Sequence, residues 1–226
     1  DLWIIKIDQD GNNVWEQLYG KPDTADGANS IRQCRDGGYI VSGFTNSYGA
    51  QNYDAWILKL DASGNLEWMR TEGGPKFDQA NCAIESSSGR FLVAGETYSF
   101  GAGHYDFSVL CYDASGTLLW SKTYGGPSFE RARSVIETVD NNFIVAGYTS
   151  SYGQGDKDVW VIKIDPDGNL LWSQALGGPG CDEAYAMTAA ADGGFVIAGN
   201  TTSWGTGGVD GWVFKLLDAP QANDPQ

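Results

Sequence analysis

The residues best able to do chemistry in this chain recur at fixed intervals. Asp26, Asp78, Glu130 and Asp182 form one such set, and Asp54, Asp106, Asp158 and Asp210 a second. A third reads Ser47-Tyr48-Gly49, Ser99-Phe100-Gly101, Ser151-Tyr152-Gly153 and Ser203-Trp204-Gly205. Carboxylates gathered on one face could bind Ca²⁺, which takes six to eight oxygens. The rings of Tyr48, Phe100, Tyr152 and Trp204 could stack on sugars, and two carboxylates could act as acid and base on a glycosidic bond. Residues present in every copy also have a structural use, because aspartates accept loop amide hydrogens and aromatics seal the space between copies. The structural reading is the preferred one. The binding candidates are Tyr48, Phe100, Tyr152, Trp204, Asp26, Asp78, Glu130 and Asp182, and no residue is named as catalytic.

Other reactive side chains are few. One histidine, His104, excludes multi-His metal sites and reads as incidental in its glycine-rich loop. Asp8-Gln-Asp10-Gly11 and Asp165-Pro-Asp167-Gly168 open like calcium loops but lack the distal glutamate, so hairpin turns explain them better. Lys6, Lys59, Lys163 and Lys215 share one place in an apolar strand, which suggests packed stems with heads paired or in water rather than a catalytic amine. Cys34, Cys82, Cys111 and Cys181 form no CxxC pair and are expected as free buried thiols. Asn200-Thr-Thr202 matches a glycosylation sequon, a frequent chance match.

Composition narrows the classes further. With 226 residues, 42% of them hydrophobic, the chain can bury a sizeable core, and 31 glycines demand frequent turns. Lys plus Arg number 14 against 29 Asp plus Glu, a net charge of −15 that repels phosphate backbones and anionic membranes. A nucleic-acid partner is therefore not expected. No stretch approaches the ~18 apolar residues of a membrane span and no leader opens the sequence, so neither membrane insertion nor a signal is expected within it.

The elements that must position these residues come from an internal repeat. Asp1-Leu-Trp-Ile-Ile-Lys-Ile-Asp8 returns in kind at Asp54, Asp106, Asp158 and Asp210, at spacings of 53, 52, 52 and 52. Each copy offers four strand-like segments with no 3.6-residue period. First comes the Trp-Ile-Ile-Lys type, apolar on both faces and so expected to be covered on both. After an Asp-x-x-Gly turn follows a segment carrying Trp15, Trp68, Trp120 or Trp172, making a hairpin. A third segment enters through Asp26, Asp78, Glu130 or Asp182, and a fourth ends at Gly43, Gly95, Gly147 or Gly199, making a second hairpin. Such a unit cannot cover its own sheet and must stack on copies of itself, and radial stacking gives a β-propeller.

Gly38-Tyr-Ile-Val-Ser-Gly43, Trp56-Ile-Leu-Lys-Leu-Asp61 and Gly64-Asn-Leu-Glu-Trp68 together resemble the repeat of pyrroloquinoline-quinone-type propellers. The whole unit, with its Tyr-Gly-Gly-Pro and Thr-x-Ser-Tyr-Gly segments, is similar to repeats of secreted or cell-surface bacterial and archaeal propeller proteins. The turn here is one residue shorter, and the cofactor and metal residues of the quinone enzymes have no counterpart that can be placed. In that family the third segment is the innermost strand and the tryptophan strand the outermost.

Seventeen strands follow from five copies of the first type and four of each other. The expectation is an all-β propeller over residues 1–218, of four blades plus an extra strand, with the amino-terminal hairpin closing the last blade. Five blades, or part of a longer propeller, are the alternatives. Residues 219–226 read as a tail or linker. The loops that gather the carboxylates, serines and aromatics emerge on one face. The expected role is a non-catalytic extracellular or cell-surface module that binds protein or glycan, without a cofactor unless Ca²⁺ binds. The alternatives are a self-assembling filament subunit joined through an incomplete blade and a carboxylate-based polysaccharide-active enzyme.

Overall fold

A computed structural model describes residues 1–49 and 52–218, so the expected tail at 219–226 lies outside the described residues. Every regular element among them is a β-strand, and none forms a helix able to cross a membrane. The residues fall into two compact units, one of Asp1–Phe100 with Ser108–Thr123, the other of Gly101–Phe107 with Tyr124 onward.

In the first unit, β1 (Leu2–Ile7) and β2 (Asn13–Tyr19) pair only with each other. A four-stranded antiparallel sheet follows in chain order, β3 (Asp26–Gln33), β4 (Tyr39–Thr45), β5 (Asp54–Leu60) and β6 (Leu66–Glu72). Next stands the sheet of β7 (Asp78–Glu85), β8 (Phe91–Thr97), β9 (Asp106–Tyr112) and β10 (Leu118–Tyr124), whose β9 begins and β10 ends in residues of the second unit. The second unit holds a four-stranded sheet, β11 (Glu130–Glu137), β12 (Phe143–Thr149), β13 (Asp158–Ile164) and β14 (Leu170–Leu176). It also holds a three-stranded one, β15 (Asp182–Ala189), β16 (Phe195–Thr201) and β17 (Asp210–Leu216). The strand total matches the count from the repeat, in separate hydrogen-bonded sheets of two, four, four, four and three strands.

Each expected hairpin has a local cause. Asp61 Oδ1 accepts the amide hydrogens of Ser63 and Asn65, both at 2.8 Å, while Gly64 takes φ +81° to close the turn. Asp8, Asp113 and Asp165 do the same for their own turns, so Asp8-Gln-Asp10 and Asp165-Pro-Asp167 are hairpin turns. The tryptophans four residues beyond Gly11 and Gly64 then reach the next copy's turn. Trp15 Nε1 donates to Ala62 O and Trp68 Nε1 to Ala114 O, both at 3.2 Å, which links one repeat to its neighbour within the first unit.

Between the sheets of each unit runs an apolar core. Ile40, Ile57, Phe91, Val93, Leu110 and Tyr112 join the two large sheets of the first unit, and Ile144, Val161, Phe195 and Ile197 join those of the second. β5 and β13 are buried along their whole length, as their unbroken apolar sequence requires. β1 departs from that expectation, and so does β17, where Val213 is 69% exposed. Leu2 and Ile4 pack on Val41, Trp56 and Leu58, but on the other face Trp3 is 58% and Ile7 62% exposed. The physical reason is that no strand-bearing neighbour covers that face among the described residues of this unit.

The four lysines that share one place behave as packed stems where their strand is covered. Lys59 is buried and its Nζ donates to Asp36 at 2.6 Å and Glu67 at 2.8 Å; Lys163 pairs with Asp140 and Asp218. Lys215 pairs with Asp192, and Lys6 lies over the Tyr39 ring. All four cysteines are free thiols, three buried and Cys181 half-buried. Burial pushes the Cys34 thiol up to about 12.

Candidate functional site

The lead strand of every four- or three-stranded sheet, β3, β7, β11 or β15, begins at one of the candidate carboxylates, and all four are engaged within their own repeat. Asp78 accepts hydrogens from the Thr97 hydroxyl, from Ser99 Oγ at 2.6 Å and from the Gly74 amide at 2.9 Å. Asp26 accepts from the hydroxyls of Thr45 and Ser47, and Asp182 from Ser203 Oγ at 2.6 Å and the Gly178 amide at 2.9 Å. Glu130, one methylene longer, accepts from Thr149 Oγ1 and the Gly126 amide, both at 2.8 Å, and from the Ser151 amide at 3.1 Å. The serine of each motif takes a further amide from the loop before the lead strand, as in Lys76 N to Ser99 Oγ at 3.0 Å. The Thr-x-Ser and Tyr-Gly-Gly-Pro segments are thus the two halves of one clasp. Burial opposes the charge of Asp26, but the Ser47 and Thr45 hydroxyls outweigh it and hold its carboxyl below the ordinary value.

The second set of carboxylates sits beside the first. Asp106 Oδ2 accepts the Ala102 amide at 3.0 Å, and Asp158 Oδ2 the amides of Gln154 and Gly155, both at 3.0 Å. Their Oδ1 atoms are buried without a hydrogen-bond partner and rest against glycine. A Cβ on Gly125 would lie 2.0 Å from Asp106 Oδ1 and 2.7 Å from Glu130 Oε2, and one on Gly177 would lie equally close to Asp158 and Asp182. Only glycine lets two carboxylates approach this closely. Burial, with the Glu130 charge adding to it, raises the Asp106 pKa. Two carboxylates per place fall short of a calcium shell, and among the described residues no group of three or more His, Cys, Asp or Glu could hold a metal ion. Asp78, Glu130, Asp182, Asp54, Asp106 and Asp158 are all buried.

The candidate aromatics cap the same clasps. Phe100, Tyr152 and Trp204 lie over Gly74, Gly126 and Gly178, where added Cβ atoms would come within 3.3, 3.2 and 3.4 Å of their rings or hydroxyl. Tyr48 OH donates to Gly20 O at 3.4 Å and Tyr152 OH to Gly125 O at 3.0 Å. Tyr152 also packs on Trp160 and Trp204 on Trp212. Phe100, Tyr152 and Trp204 keep about half their surface exposed, so one side of each ring is structural and the other open.

A different set of side chains breaks the repeat, and sequence reasoning passed over it. Each lead strand carries a β-bulge at its fourth residue, so that Asn29, Asn81, Arg133 and Tyr185 are the extra residues that the ladder register skips. Two residues earlier stand Gly27, Gln79, Arg131 and Glu183, which pair across the ladder with Phe44, Glu96, Tyr148 and Asn200. The frame around these positions is constant while their chemistry changes from copy to copy. The signal lay in the sequence as the three places per repeat that fail to repeat.

The first unit gathers amides around one carboxylate. Buried Glu96 accepts from Gln79 Nε2 at 2.8 Å and from Asn81 Nδ2 at 2.6 Å, and Asn29 Nδ2 donates to Asn81 Oδ1 at 3.1 Å. The second unit is cationic and phenolic instead. Arg131 lies over the Tyr105 ring, and Lys157 over the Tyr148 ring. Lys157 Nζ donates to Glu183 Oε1 at 2.5 Å, Tyr185 OH donates to Glu183 Oε2 at 3.0 Å, and Asn200 Nδ2 donates to Tyr185 OH at 3.1 Å. Burial works against the Lys157 charge, but Glu183 and its other neighbours hold the amine above the ordinary lysine value. Asn200, the sequon residue, is therefore a strand residue with its amide already engaged. His104 is exposed and stacks at 4.7 Å on Phe129, which in turn stacks on the Tyr105 ring beneath Arg131.

No protein-family model matches the chain. Over 112 residues it is 27% identical to the regulatory protein FlaEY of Caulobacter vibrioides, a match that takes in 44% of this chain and 12% of that protein. Among solved structures it is similar to a protein of unknown function from Bacteroides caccae, with 18% identity and a TM-score of 0.56 over 88% of this chain and 61% of that one. It also overlaps an endo-arabinase from Bacteroides thetaiotaomicron at 11% identity and a TM-score of 0.48, over 92% of this chain and 82% of that one. The chain thus spans less than two thirds of the first two. The Bacteroides caccae likeness shows a shared fold, and the endo-arabinase overlap is too loose to bear on activity.

Proposed function

We propose that the chain is a non-catalytic β-propeller that serves outside the cell or at its surface as a binding or scaffold module for protein or glycan. One observation carries this reading. A buried clasp repeats with little change, while the bulged lead strands present a different set of side chains in every copy. Catalysis needs a few groups with access to substrate, whereas recognition is served by varied side chains on a rigid support. Six of the eight repeated carboxylates that a polysaccharide-active enzyme would use are buried. Partial likeness to a regulatory protein suits a module that acts by contact. Stacking of the repeats around an axis, with the lead strands innermost, is the architecture the pyrroloquinoline-quinone-type resemblance supports.

The test is a panel of immobilised polysaccharides and proteins offered to the purified chain, with reducing ends assayed in parallel. Retention on one class without release of sugar is the expected result. Turnover of any polysaccharide, or retention on nothing, overturns the proposal.

A second reading has its own support. The exposed face of β1 and β2 carries Trp3, Ile5, Ile7, Val14 and Leu18, an apolar surface that a further copy of the chain could cover. Self-association through it would make the chain a subunit of an assembly, and sedimentation over a concentration series tests this directly.

A further inference from the structure

The cationic row in the second unit suggests what this module recognises. The whole chain has 14 Lys and Arg among 226 residues and a net charge of −15. Against that background Arg131, Arg133 and Lys157 stand on or beside two neighbouring lead strands, with Glu183 the single carboxylate in the row. None of the three belongs to the clasp, since other copies replace Arg131 with Gly27, Gln79 or Glu183, Arg133 with Asn29, Asn81 or Tyr185, and Lys157 with Tyr53, Tyr105 or Val209. The bulge re-aims Arg133, and its Nε is buried without an acceptor. A buried donor without an acceptor calls for an explanation, and an acceptor supplied by a ligand is one. A guanidinium matches a carboxylate in a planar, two-pronged fashion.

We propose that this row binds an oligosaccharide carrying uronate carboxylates. The carboxylate goes to the arginines. Glu183, Tyr185 and Asn200 form a chain of acceptors and donors about 3 Å apart, suited to ring hydroxyls. Tyr185 is 48% exposed, and its ring offers a flat surface against which a pyranose can lie. Glu183 sets the choice between glycan and acidic peptide. An acidic peptide offers this row carboxylates alone, whereas a uronic acid offers one carboxylate per ring and hydroxyls for Glu183, Tyr185 and Asn200. The inference rests on the binding-module reading and narrows it to one ligand class.

Calorimetric titration of the intact chain with trigalacturonate tests it, against the carboxyl-reduced trisaccharide and an oligoglutamate of equal charge. Trigalacturonate is expected to bind, to lose at least tenfold in affinity when its carboxyls are reduced, and to weaken with salt as screened charges do. Arg133→Gln should lose at least tenfold as well. Tyr185→Ala, a change at an exposed side chain, should lose affinity for the sugar with an unchanged melting temperature, so a folding defect at Arg133 leaves the test intact. Equal affinity for the reduced sugar, indifference to both substitutions, or preference for oligoglutamate overturns the uronate assignment. If trigalacturonate fails while another ligand of the wider panel binds, the assignment falls and the module reading stands; if the whole panel fails, both fall.

Discussion

A single hydroxyl tests the clasp. Thr149 Oγ1 donates to the buried Glu130 carboxylate and accepts the amides of Ser151 and Tyr152 at 2.9 and 3.2 Å. Thr149→Val keeps the shape and removes these bonds, and hydrogen bonds to charged groups contribute about 1.5–3 kcal/mol each. A loss of about 2 kcal/mol is expected, which at roughly 2–4 °C per kcal/mol for a chain of this size lowers the melting temperature by about 4–8 °C. Acid should weaken the fold through the lysine pairs. The hydrogen bond from Lys59 holds Asp36 below the ordinary carboxylate value, and Lys163 does so for Asp140 although burial works the other way. With folded values below unfolded ones, the contribution is present above about pH 4 and disappears as pH falls further. Melting temperature measured against pH should therefore drop on the acid side, and the drop should be shallower in Lys59→Met. The recurring carboxylates were readable from the sequence, but their partners were not. Thr149 is 19 residues from Glu130, and only the register of β11 on β12 brings the hydroxyl to the carboxylate.

Strand positions followed from periodicity to within one or two residues. The turn glycines and the paired aspartates punctuate the chain strongly, and each hairpin satisfies its own backbone. The bulges escaped notice because an extra residue in a strand only shifts the alternation of polar and apolar positions, and a lead strand exposed on one side alternates weakly. Their structural signature is the glycine opposite each one. Gly147 faces Ala132 across the ladder, and a Cβ there would lie 1.8 Å from Arg131 O, a backbone atom with no freedom to retreat. Gly147→Ala is expected to cost about 3 kcal/mol or more by forcing the two strands apart. Gly211→Ala serves as the comparison. It lies in β17 with open space around its would-be Cβ and should leave the unfolding midpoint in denaturant within about 0.5 kcal/mol of the parent. A similar loss at both sites would show that the bulge does not set the close approach.

For the chain taken whole, the informative feature is the bare side of the β1 and β2 hairpin. A sequence that reads as covered on both faces folds here with one face open, and the pattern alone could not reveal this because it records what a strand tolerates, not what lies next to it. Trp3→Ser with Leu18→Ser should leave the melting temperature nearly unchanged if that face stays in water, and should abolish any concentration-dependent sedimentation of the parent. A large stability loss in a chain that sediments as a monomer would instead mean that the face is covered from within. The clasp has a last implication, for how such chains arise. Each carboxylate draws its hydroxyl and amide partners from its own stretch of about fifty residues. A duplicated gene segment therefore arrives already braced, and mutation can afterwards rewrite the few unbraced positions beside it, so an ancestral array could lengthen first and acquire its specificities later.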